Sequence, residues 1–123
     1  MPWTQSGPNL GFGSGKPAHL PMPEWMSSFT VESEDKDAQS TLNFYRKALA
    51  LRRDLQGAPR SWNGWWMGMD KETLHFSRPG GWEVVMSFEG KGVKVPKGEV
   101  AISSGKLEGG EVPKDTTVWV TAT

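Results

Sequence analysis

The hydrophobic period of this chain changes once, and that change limits the folds open to it. Over residues 37–56 apolar side chains recur at helical spacing; from about residue 62 to the end they alternate with a period of two. In the helical stretch Phe44, Ala48, Leu51 and Leu55 form one row, and Leu42, Tyr45 and Leu49 a second row beside it. Asp37 is a plausible N-cap, and Gly57 followed by Pro59 is a stop signal. Arg46, Lys47, Arg52 and Arg53 take the rest of the surface, towards the end where the helix dipole favours cations. So wide an apolar face suits a helix packed against two bodies.

Beyond the helix, Leu74 and Phe76 alternate with His75 and Ser77, and Trp82, Val84, Met86 and Phe88 form a second run. Pro79-Gly80-Gly81 between them is a hairpin signal. The pairs Val93/Val95, Val100/Ile102 and Val118/Val120 predict three more short strands, punctuated by Gly90, Gly92, Pro96, Gly98, Gly109-Gly110 and Pro113. The expected fold is mainly β. An antiparallel, sandwich-like (Greek-key) domain over 58–123 follows one long helix at 37–57.

Residues 1–36 fit neither period. Pro2, Pro8, Pro17, Pro21 and Pro23 alternate with Gly7, Gly11, Gly13 and Gly15, so neither helix nor strand is expected to persist. Trp3, Phe12, Trp25 and Phe29 are nevertheless too apolar for a solvated linker. An irregular loop that long is unusual inside a chain of 123 residues. The segment reads as one made to lie against a larger body.

Composition removes whole classes of function. One small domain fits in this length, but a (β/α)8 barrel of about 250 residues does not. Fourteen basic residues balance fourteen acidic ones, so no net field favours nucleic acid or anionic lipid. Without cysteine there is no disulfide, thiol nucleophile or thiolate metal site, which favours the cytoplasm. No apolar run is long enough to span a membrane, and the first residues lack the pattern of a signal peptide.

Four local patterns invite a chemical reading. Gly11-Phe12-Gly13-Ser14-Gly15-Lys16 resembles a phosphate cradle, but Leu10 and Pro17 stand where a P-loop needs glycine and a hydroxyl. His19 and His75 are far apart, and no local spacing supplies partners for either, so both read as surface histidines. Glu32, Glu34, Asp35 and Asp37 cluster before the helix, where capping explains them more simply than paired-carboxylate catalysis. Seven tryptophans suggest stacking on sugar faces. Trp82 and Trp119 lie in strands and read as core; Trp62, Trp65 and Trp66 are open to either reading.

Taken in order, these residues resemble the C-terminal part of family-13 glycoside hydrolases, in the α-glucosidase and oligo-1,6-glucosidase branch of the α-amylase superfamily. Met1-Pro2-Trp3-Thr4, Gly11-Phe12, Gly15-Lys16-Pro17 and Leu20-Pro21 look like the family's Pro-Met-(Pro/Gln)-Trp stretch and its continuation. Val31-Glu32, Asp37, Ser40 to Lys47 and Leu51-Arg52 look like the last barrel helix. Thr73 to Phe76, Gly98-Glu99-Val100 with Ser103-Ser104, and Thr116 to Trp119 look like strands of the C-terminal β-domain. Ala18-His19 departs from the family, which often carries tryptophan there.

The resemblance implies a C-terminal fragment of a retaining α-glucosidase that removes terminal α-linked glucose from oligosaccharides. Residues 1–36 would end the loop between the eighth barrel strand and helix, and 37–57 would be that helix. The family's catalytic carboxylates lie on earlier barrel strands, so no catalytic residue is carried over and the chain alone is expected to be inert. Trp3 and Thr4 are the substrate-proximal candidates. No cofactor or metal is implied. The implied partners are the catalytic barrel of the same polypeptide and, for the whole enzyme, an oligosaccharide. The alternatives are a carbohydrate-binding or barrel-completing β module, or the C-terminal part of a trehalose synthase.

Overall fold

The computed structural model describes residues 1–56, 65–69, 72–89 and 93–122, with 56 and 65–69 described by backbone alone. The chain forms two compact units, Met1–Lys47 and Ala48–Thr123. The division falls inside the long helix.

In the first unit, a left-handed turn at Pro8–Gly11 and a short stretch of 3-10 geometry, Glu24–Phe29, precede helix α1, Val31–Lys36. The expectation that no helix persists before residue 37 is therefore corrected at α1. The cause is a cap: the Thr30 hydroxyl accepts from the Ser33 amide at 3.1 Å, and Thr30 is fully buried. Helix α2 runs from Thr41 to Gln56, four residues later than Asp37 suggests. Asp37 instead closes a turn, its carboxylate accepting from the Gln39 amide at 2.9 Å. Ser40 is the functional cap, with its hydroxyl accepting from the Asn43 amide at 3.2 Å. The Glu34 carboxylate accepts a further orphan donor, the Leu42 amide, at 3.0 Å.

The second unit is an antiparallel sheet of five strands: β1 Trp65–Met69, β2 Thr73–Arg78, β3 Trp82–Ser87, β4 Glu99–Ser103 and β5 Thr116–Thr121. Their spatial order is β1-β2-β3-β5-β4, so the path leaves a simple meander where β5 enters between β3 and β4. The hairpin expected at Pro79-Gly80-Gly81 joins β2 to β3, closing on the Arg78–Trp82 pair. Strand β1 was not legible as a strand, because Asn63-Gly64 interrupts its aromatic run.

Register explains the two faces. Leu74, Phe76 and Arg78 of β2 pair with Met86, Val84 and Trp82 of β3, and Val84 pairs onward with Trp119 of β5. The opposite phase places Val85 against Val118 and Glu83 against Val120. Val85, Val118 and Val120 are buried with Val112, and Val93, Val95 and Leu107 pack over them. Val93 and Val95 were expected to be a strand. They make only bridging contact, through Val112 N–H to the Val93 carbonyl at 2.7 Å and Val95 N–H to the Gly110 carbonyl at 2.9 Å. Among the described residues, the layer over this face is a bridge-paired loop.

Candidate functional site

Trp3 and Thr4, the substrate-proximal candidates, sit in a tightly stitched segment. The N–H groups of both converge on the Leu10 carbonyl, at 2.8 and 3.1 Å. The carbonyls of Pro2 and Trp3 accept from the amides of Val31 and Glu32, at 3.2 and 3.0 Å. Those amides open α1 and have no partner within the helix, so the carbonyls of Pro2 and Trp3 serve as its backbone cap. The Thr4 hydroxyl donates to the Ser6 carbonyl at 2.8 Å. Trp3 remains 47% exposed, so its ring is available to a neighbour.

A left-handed turn presents the Leu10 carbonyl. Asn9 and Leu10 both have φ of 50°, in a region that side chains normally avoid, and Gly11 continues the turn at 75°. The Asn9 carboxamide holds it by donating to the Lys16 carbonyl and accepting from the Ala18 amide. The glycine run 11–16 therefore belongs to a pinned turn. It neither follows a strand nor opens a helix, as a phosphate cradle would.

The acidic cluster disperses into separate structural duties. Glu32 accepts from the Gln5 amide at 3.1 Å and pairs with Lys36 at 3.2 Å. Asp35 pairs with Arg46, while Glu34 and Asp37 cap backbone as described. No two of these carboxylates face one another across a common site. The Gln5 hydrogen bond and, secondly, the Lys36 ammonium hold the Glu32 carboxyl below its usual range. A lowered folded pKa means that the tether exists above the unfolded value and is lost as pH falls through the folded one. The Gln5 amide proton should accordingly shift in an NMR titration with a midpoint below the ordinary glutamate range. Glu32→Gln should remove that transition, and a midpoint within the ordinary range would contradict the tether.

His75 is not the outward surface histidine expected from strand phase. It is half-buried on the face that carries Val85, and its Nε2 lies 2.8 Å from Glu83 Oε2. Among the described residues, no cluster of His, Cys, Asp and Glu could hold a metal ion. Trp82 is buried and Trp119 half-buried, with ring centroids 4.9 Å apart, as core aromatics should be. Trp62 lies outside the described residues, as do the side chains of Trp65 and Trp66. Trp25 is 61% exposed, edge-on to Phe29 at 6.0 Å. No helix among the described residues is long and apolar enough to cross a membrane.

The sequence has a relative among glycoside hydrolases. The chain is 40% identical over 55 residues to alpha-glucosidase MAL12 of Saccharomyces cerevisiae, a stretch that covers 43% of this chain and 9% of the relative. No protein-family model matches. The similarity supports a glycoside hydrolase relationship for the matched stretch, and this chain spans only a small part of that relative.

Proposed function

We propose that this chain is the C-terminal part of an α-glucosidase, contributing the last barrel helix and the β-domain that follows it. The similarity to alpha-glucosidase MAL12 is the observation that carries this reading. Exposed apolar side chains support it physically. On α2, Tyr45 and Leu49 are 61% and 59% exposed, so two of the three residues in the second apolar row predicted for this helix are left uncovered, while Leu42 is half-buried. Trp3, Phe12, Leu20, Trp25 and Phe29 are also exposed in the first unit. A catalytic barrel is the body that such surfaces are built to meet. The retaining chemistry, terminal α-linked glucose as substrate and a position for Trp3 and Thr4 near the active-site mouth all belong to this proposal.

On its own the chain lacks the barrel carboxylates, so it should leave p-nitrophenyl α-glucoside uncleaved. Turnover that disappears on replacing Asp37 or another of its own acids would overturn the proposal. The genomic reading frame upstream of Met1 provides a second test: it should supply the catalytic barrel. The exposed Trp3 and Trp25 favour a second reading, a carbohydrate-binding module. That reading requires maltose or isomaltose to change tryptophan fluorescence saturably, and it fails if neither does.

A further inference from the structure

Helix α1 has six residues, too few to persist in water on its own turns. What holds it lies outside it, at both ends. At its N-terminus the carbonyls of Pro2 and Trp3 accept from the Val31 and Glu32 amides, and the Glu32 carboxylate accepts in return from the Gln5 amide. At its C-terminus the Asn43 carboxamide, from the first turn of α2, donates to the carbonyls of Glu34, Asp35 and Asp37 at 2.9, 3.2 and 2.9 Å. The end of a helix leaves such carbonyls without partners of its own.

The capping between the two helices is reciprocal. The first amides of α2 also need acceptors, and α1 supplies one of them: the Glu34 carboxylate takes the Leu42 amide at 3.0 Å. Ser40 is buried between them, and its hydroxyl donates to the Glu34 carbonyl at 2.7 Å while accepting from the Asn43 amide. Melting α1 therefore takes an acceptor from α2, and fraying the first turn of α2 takes Asn43 from α1.

We infer that residues 2–5, α1 and the first turn of α2 form a latch that opens and closes as one unit, with α1 as its two-state element. Each end of α1 is ordered by groups that do not touch the other end, so the helix transmits between them by folding or melting. Left with one set of caps, six residues fall below what a helix can sustain, and the remaining caps then lose their target. Trp3 is the handle. Its ring is 47% exposed, while its main chain is held in the latch through both its N–H and its carbonyl. A body that draws Trp3 away releases the first turn of α2 without touching it.

The latch does not depend on the α-glucosidase reading, and amide hydrogen exchange on the 123-residue chain tests it. Asn43→Ala removes caps at the C-terminal end of α1, yet the Val31 and Glu32 amides at the other end should exchange about tenfold faster. Glu32→Ala removes the Gln5 tether and leaves the acceptors of the Leu42 and Asn43 amides in place; those two amides should still exchange about threefold faster. Arg53→Gly loosens α2 far from the joint and should leave Val31 and Glu32 unchanged. Three results would overturn the latch. Asn43→Ala could quicken exchange within α2 alone, or Glu32→Ala could leave Leu42 and Asn43 at the parent rate. Arg53→Gly could quicken Val31 and Glu32 as much as Asn43→Ala does, which would mean general unfolding in place of a latch.

Discussion

Replacing Val118 by aspartate should abolish the cooperative unfolding transition of the β-domain. Val118 is fully buried at the centre of β5, paired with Val85 and packed with Val112 and Val120. The described side chains of that cluster, Val85, Val112 and Val120 with Val93, Val95 and Leu107 over them, carry no cation or hydrogen-bond donor for a carboxylate. Burying an unpaired charge there costs several kcal/mol, out of the roughly 5–15 kcal/mol that keeps a typical domain folded. Circular dichroism and urea titration would check it. Val118→Ala, which removes only methyl groups, should lower stability by about 2 kcal/mol and keep the transition cooperative. A Val118→Asp variant that unfolds like the parent would show that this cluster is not the core.

The second large effect is expected at the β2–β3 turn. Gly80 has φ of 101°, and a Cβ placed there would lie 2.2 Å from the Leu55 carbonyl oxygen at the end of α2. Gly80→Ala therefore meets both a disfavoured conformation and a backbone atom that cannot rotate away. A loss of about 2–4 kcal/mol follows. Gly81 provides the internal control. It also has positive φ, 74°, but a Cβ there would meet nothing within 4 Å. Gly81→Ala should cost only about 1 kcal/mol. Urea midpoints for the two variants would separate backbone conformation from close approach. Equal losses would show that the helix end does not press on the turn.

These two sites also mark how far the residues could be read in advance. Pro79-Gly80-Gly81 was legible as a turn because proline and glycine act through local backbone geometry. That Gly80 also makes room for the Leu55 carbonyl was not legible, because it depends on where a distant element packs. The same division runs through the candidate site. Trp3 and Thr4 were singled out through a family resemblance. The stitching of their segment, with the Trp3 and Thr4 amides on the Leu10 carbonyl, the Pro2 and Trp3 carbonyls on the Val31 and Glu32 amides and the Gln5 amide on the Glu32 carboxylate, has no local signature.

Taken by itself, the sequence determined the mainly β character of the second half, the long helix before it and the turn that joins β2 to β3. Each follows from a periodicity or from a residue's own backbone preference, and both act over only a few neighbours. The tertiary structure decided which of several competent groups won a shared partner. Ser40 caps α2 in place of Asp37, and Thr30 makes a helix of 31–36. Val93 and Val95 cover the valine core as a bridge-paired loop instead of a strand, and His75 turns to Glu83 on a covered face. Bridges and cross-strand pairs join groups that only folding brings together; a cap reaches just three residues, but which of several competent side chains takes it is decided by the packed backbone.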